Sequence, residues 1–155
     1  MAKGLKLRAQ DSDDLTIISA YLQDAVTVIA DFNYSPPERL FIMMFNRYQW
    51  EDHKASQDEH GKKSCHRIRT GCHFENVISV SSQNFHQKDK RHVLELLTIE
   101  SKLLDNKNVA IDLIIAGDEV VRLEAELIEA SMQDIGEPYP AACHPKHDVL
   151  ENLQD

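Results

Sequence analysis

Apolar residues recur along this chain at two different spacings. Leu5 and Leu7 alternate with Lys6 and Arg8, which predicts a short strand. Asp11-Ser12-Asp13-Asp14 then offers helix-capping side chains and negative charge for the positive end of a helix dipole. Leu15, Ile18, Leu22 and Ala25 follow at helical spacing and predict an amphipathic helix over roughly Ser12 to Leu22. Beyond it the period drops to two. Val26 to Tyr34 alternates as a strand, Ser35-Pro36-Pro37-Glu38 interrupts it, and Leu40 to Phe45 is a continuous apolar run extended by Tyr48 and Trp50. These two strands predict a hairpin.

The later segments read the same way. From Cys65 to Phe74, residues His66, Ile68, Thr70, Cys72 and Phe74 share one face. Val77 to Ser81 continues after a bend at Asn76, and Val93 to Glu100 and Val109 to Ile115 are further strands. Ala116-Gly117-Asp118 is turn chemistry, after which Val121 to Leu127 alternates as an edge or surface strand. Glu51 to Ser64 lacks periodicity and predicts a mobile polar loop. Pro138, Pro140 and Pro145 predict an irregular tail over 136–155. One helix and six to seven strands leave no room for parallel crossovers. The expected architecture is α+β: a mainly antiparallel curled sheet or partly open barrel, with one N-terminal amphipathic helix packed against it. At 155 residues the whole chain is expected to be a single domain.

Charge narrows the partners. Lys and Arg number 17 against 26 Asp and Glu, a formal net charge of −9. Such a field repels phosphate backbones and anionic membranes, so neither nucleic acid nor membrane is an expected partner. No stretch reaches the roughly 20 apolar residues of a bilayer span. No apolar run of a secretory signal follows the N-terminal Lys3, Lys6 and Arg8. With three cysteines, an odd number, the chain is expected to be cytoplasmic with reduced thiols.

Three blocks carry a resemblance. They are Asp14-Leu15 with Ile18-Ser19-Ala20 and Leu22 to Val26; Arg39-Leu40-Phe41 with Asn46 to Glu51; and Leu94 to Leu97 with Ala116-Gly117 and Arg122-Leu123. Together they resemble an uncharacterised bacterial family of small proteins, defined only as a domain of unknown function. The resemblance implies a stand-alone cytosolic protein and assigns no reaction.

Recognisable catalytic motifs are missing. Gly61-Lys62-Lys63-Ser64 resembles the end of a phosphate loop, but Ser56 stands where the first glycine is needed. No dinucleotide turn, nucleophile elbow, zinc-protease helix motif or C-x-x-C occurs. No cofactor is expected. Eight histidines accompany the cysteines, and Cys143, His144 and His147 are the candidate metal ligands, although they lack a fourth donor. Asp112 interrupts an apolar strand and is expected to face water.

The preferred recognition site is Asn46, Arg47, Tyr48 and Trp50. These are residue types of interface hot spots, placed where a buried strand runs into a loop. The first functional expectation is therefore binding of a macromolecular partner, or self-association, through this aromatic and arginine patch. The alternative is a small enzyme or ligand-binding domain with a cleft near the same patch. A weaker alternative is metal binding by the tail. The competing structural role for the patch is that Tyr48 and Trp50 close one end of the sheet while Arg47 pairs with an acid.

Overall fold

The computed structural model describes residues 4–51, 65–85 and 89–143. Asp11 stands in extended backbone and accepts a hydrogen bond from the Asp14 N–H at 2.7 Å, which starts helix α1 (Ser12–Tyr21). Asp13 and Asp14 lie in its first turn, where the helix dipole favours negative charge. Leu15, Ile18 and the following Leu22 are buried, so the helical stripe faces the core as its spacing predicts.

Ten strands form one sheet among the described residues. They are β1 (Lys6–Ala9), β2 (Val26–Val28), β3 (Phe32–Ser35), β4 (Leu40–Tyr48), β5 (Cys65–Phe74), β6 (Val77–Gln83), β7 (Val93–Leu103), β8 (Val109–Ile115), β9 (Glu119–Ala125) and β10 (Ala130–Ala141). The spatial order is β1-β10-β5-β4-β2-β7-β8-β9-β6, with β3 also paired to β4. Every pairing is antiparallel. The sheet curls until its far end returns to the β3–β4 hairpin. There the Val77 N–H donates to the Arg39 carbonyl at 2.9 Å, and the Tyr34 hydroxyl donates to the Val77 carbonyl at 2.9 Å. Helix α1 packs against β7 and β1: Ser19 Oγ accepts from the Ile99 N–H at 2.8 Å and bonds Thr98 Oγ1 at 3.1 Å. Leu15, Ile18 and Leu22 pack with Phe41, Met43, Phe45, Ile111, Leu113 and Leu123 into one core.

The coarse expectation of an antiparallel curled sheet with one helix matches this architecture. The strand number is corrected from six to seven to ten. Part of the excess comes from Val26 to Tyr34, expected as one strand. A 3₁₀ turn at Ile29–Asp31 splits it, and there the Ala30 N–H bonds the Lys90 carbonyl at 3.0 Å instead of a sheet partner. β2 and β3 then lie along the same edge of β4. Strand β9 is not an edge, since it lies between β8 and β6. The expected irregular tail begins later than Gly136, because β10 continues to Ala141 through Pro138 and Pro140. That extension survives the prolines because no strand is needed on its far side: β1 pairs only Ala130 to Gln133. The rest of the tail and nearly all of the expected polar loop, 52–64, lie outside the described residues. No helix among the described residues is long and apolar enough to cross a membrane.

Candidate functional site

Alternation along β4 decides what the predicted patch residues do. Phe41, Met43, Phe45 and Arg47 point into the core, while Ile42, Met44, Asn46 and Tyr48 point to the convex face. Arg47 therefore does not belong to a surface patch; its side chain has 0% exposure. It meets the Asp134 carboxylate through two parallel bonds, Nε to Oδ1 at 2.8 Å and Nη2 to Oδ2 at 2.6 Å. Its remaining donors reach Glu51 at 2.9 and 2.7 Å and the Tyr48 carbonyl at 3.0 Å. Asp134 also accepts from Thr70 Oγ1 at 2.8 Å and from the Leu5 N–H at 2.9 Å. Burial alone would push the Arg47 pKa down, but the bonds to Asp134 and Glu51 outweigh it and raise it. Burial likewise opposes the Asp134 charge, yet Arg47, Leu5 and Thr70 hold its carboxyl below the ordinary carboxylate range. Every guanidinium donor direction is used inside the fold, which is the arrangement of a structural clamp.

The other three patch residues remain near one another. Trp50 donates its indole N–H to the Gln23 carbonyl at 3.0 Å, and its ring lies 5.1 Å from that of Tyr48. Tyr48 is itself buried. What covers it on the convex side is Arg67, its register partner on β5, whose guanidinium stacks 3.8 Å above the Tyr48 ring centroid. The Arg67 Nη1 donates to the Asn46 carbonyl at 2.7 Å. Arg69, next on this face of β5, pairs with Asp31 at 3.1 Å. Two exposed apolar residues of β10 flank the arginines: Ile135 opposite Arg69, 49% exposed, and Tyr139 opposite Arg67, 40% exposed. Gly71 leaves Met44 and Ile135 room to meet across its Cα, since a Cβ there would already touch both.

The structure thus joins Asn46, Tyr48 and Trp50 to Arg67, Arg69, Ile135 and Tyr139, and removes Arg47. The sequence signal for Arg67 and Arg69 was present in the alternation of β5, whose inward set is buried from Ile68 to Phe74. What it lacked was β10 as a neighbour.

Of the candidate metal ligands, only Cys143 lies among the described residues. Cys143 forms a disulfide with Cys65, with Cα atoms 5.1 Å apart, so its thiolate is not available for a metal. This corrects the expectation of reduced thiols: pairing β10 with β5 brings two cysteines 78 residues apart to the same strand ends. His144 and His147 lie outside the described residues. Among the described residues no group of three His, Cys, Asp or Glu side chains could hold a metal. Cys72 is a buried thiol whose pKa burial pushes up to about 12. Asp112 lies on the outer face of β8, bonded to Arg122 at 2.7 and 2.8 Å.

One recess among the described residues reaches the patch. The recess touching Asn46 holds about 100 Å³ between Val26, Thr27, Val28, Asp31 and Val93. Larger recesses lie elsewhere. One of about 500 Å³ is open and polar beside Asp112 and Arg122. One of about 310 Å³ runs between β3 and β6, lined by Phe32, Tyr34, Phe41, Val80 and Val121.

No curated protein matches this chain, and no solved structure does. A family model does match, over residues 5–147, and its description is protein of unknown function. The chain belongs to that family, DUF2948.

Proposed function

We propose that this protein is a cytoplasmic binding protein whose convex β4–β5–β10 face recognises a protein partner, with self-association as the variant in which the partner is a second copy. The observation that carries this reading is the Arg67 guanidinium stacked 3.8 Å over the Tyr48 ring and flanked by the exposed Ile135 and Tyr139. Tyrosine, tryptophan and arginine are the residues that dominate binding energy at protein interfaces, and here they are held rigid by strands. Arg67 and Trp50 are held against the buried Tyr48 ring before any partner arrives, which lowers the ordering cost of association. Arg67 forms no ion pair among the described residues, and an acidic group on the partner would complement its charge.

The alternative of a ligand cleft at the same place has less support. A small-molecule site calls for about 300 Å³ or more with convergent polar groups. Among the described residues, the recess beside Asn46 holds about 100 Å³.

A photocrosslinking amino acid in place of Tyr139 tests the proposal, with a control in place of Leu103, which is 72% exposed on β7. The expected result is a discrete adduct from position 139 in cells, absent from position 103 and abolished by Arg67→Glu. Sedimentation velocity on the pure protein distinguishes a second copy from a different partner. Equal labelling from both positions would overturn the assignment of this face.

A further inference from the structure

The two halves of β10 are held differently. Ala130 to Asp134 lies between β1 and β5, with Ala130, Met132 and Asp134 buried. Past Ile135 the pairing with β5 is broken by a bulge and resumes only at Tyr139. Gly136 takes φ 79°, the left-handed conformation that lets the chain kink there. Pro138 and Pro140 donate no ladder hydrogen bonds. Strand β1 does not reach this half, and residues 136–140 are exposed. Three register pairs remain, Tyr139 with Arg67, Pro140 with His66 and Ala141 with Cys65. Beyond them the Tyr48 hydroxyl donates to the Ala142 carbonyl at 3.0 Å. The Cys65–Cys143 disulfide then ties the end of the described segment to the start of β5.

We infer that this disulfide is a redox clasp for residues 136–143. Neither of its cysteines belongs to the hydrophobic core, which includes Cys72 instead. The fold therefore keeps its buried interior whether the bond is made or broken, and breaking it acts on the weakly held half of β10. Cys143 is the exposed partner of the bond and is the sulfur at which the attack is assigned. The thiolate of a low-molecular-weight thiol attacks that sulfur, and the electron pair of the S–S bond leaves with Cys65 Sγ, which takes a proton from water. A second thiol attacks the mixed disulfide and releases Cys143 as a thiol, so two reductant thiols end as one disulfide. In a reducing compartment, protein disulfides are usually transient and redox-sensing. Cys72 is buried and offers no competing partner. Opening removes Tyr139 from the convex face; this consequence, unlike the clasp, rests on the recognition reading above.

Full-length protein equilibrated with oxidised glutathione or with a dithiol reductant tests the clasp. Thiol counting after unfolding is expected to give one free thiol in the first case and three in the second. Hydrogen exchange of peptides covering 136–143 is expected to be at least about tenfold faster in the reduced protein, with β8 and β9 unchanged. Cys65→Ser with Cys143→Ser is expected to show the reduced pattern under both conditions. Three free thiols after oxidation would overturn the clasp, as would equal exchange in the two forms or loss of protection throughout the sheet. If residues 136–143 open on reduction while crosslinking from position 139 is undiminished, the clasp stands and the recognition face is wrong.

Discussion

Arg47 and Asp134, 87 residues apart in the chain, form a doubly hydrogen-bonded ion pair with side-chain exposures of 0% and 1%. The pair ties β4 to β10 across the inner side of β5, and Thr70 of β5 joins it from between. Desolvating two charges is expensive, and the pair is tolerable because nearly every lone pair and proton is used. Removing one partner leaves the other charged and buried. Asp134→Ala is therefore expected to destabilise the protein by about 3–5 kcal/mol, measured by urea unfolding. Arg47→Met combined with Asp134→Leu is expected to recover most of that loss, since an apolar pair of similar size carries no desolvation cost. A double variant as unstable as Asp134→Ala would show that the polar network itself is required.

The same pair gives a pH dependence of known sign. The folded carboxyl of Asp134 titrates below its unfolded value. Its contribution is present above the unfolded pKa, near about 4, and disappears as pH falls through the lower folded value. Thermal melts of the wild-type protein should thus lose stability from about pH 5 downward. Asp134→Asn should show a shallower slope over that range, whatever its stability at neutral pH. Parallel slopes would remove Asp134 from the account of acid unfolding.

Gly4 approaches Asp134 so closely that a Cβ on it would stand 2.8 Å from the Asp134 Cβ. The Leu5 N–H and carbonyl both bond Asp134, through the carboxylate and the backbone N–H. Gly4→Ala must shift this strap and is expected to cost about 1–3 kcal/mol. Gly71→Ala meets only ordinary contacts at 3.4 and 3.5 Å and is expected to be nearly neutral by comparison. The two alanine variants, compared by denaturant midpoint, separate close approach from the general cost of replacing glycine in a sheet.

Cys72 is expected to be inert in the native state. Its thiol is buried and its pKa is pushed up to about 12, so almost no thiolate is present at neutral pH. Alkylation of oxidised native protein at pH 8 should proceed only after denaturant is added. Rapid labelling of Cys72 would mean that the sheet opens locally around β5.

Trp50 is partly buried, and among the described residues it meets the Tyr48 ring and the Gln23 carbonyl. Trp50→Ala is expected to cost about 2–3 kcal/mol, less than a fully buried tryptophan. A Trp50→Phe variant keeps the ring contact and loses the hydrogen bond, so it should retain most of the stability. If the alanine variant melts with the wild type, Trp50 has no structural role at this end of the sheet.

Much of the local structure is legible in the chain itself. The capping run at Asp11 to Asp14 and the stripe from Leu15 to Leu22 specify α1, and the alternation from Cys65 to Phe74 specifies which side of β5 is buried. Val109 to Ile115 is a strand with the bounds its apolar run predicts. These are short-range features, because side-chain period follows directly from backbone geometry. The sequence also marks Tyr48 and Trp50 as an aromatic cluster. Only the tertiary structure decided the rest. A strand through Pro138 and Pro140 exists because β5 offers its edge, not because the segment favours extension. Arg47 is interior because Asp134 comes to meet it, and the thiols of Cys65 and Cys143 are paired because β10 ends where β5 begins. Each of those outcomes depends on partners far away in the chain, 78 residues for the disulfide and 87 for the ion pair, and no local period carries information about such a partner.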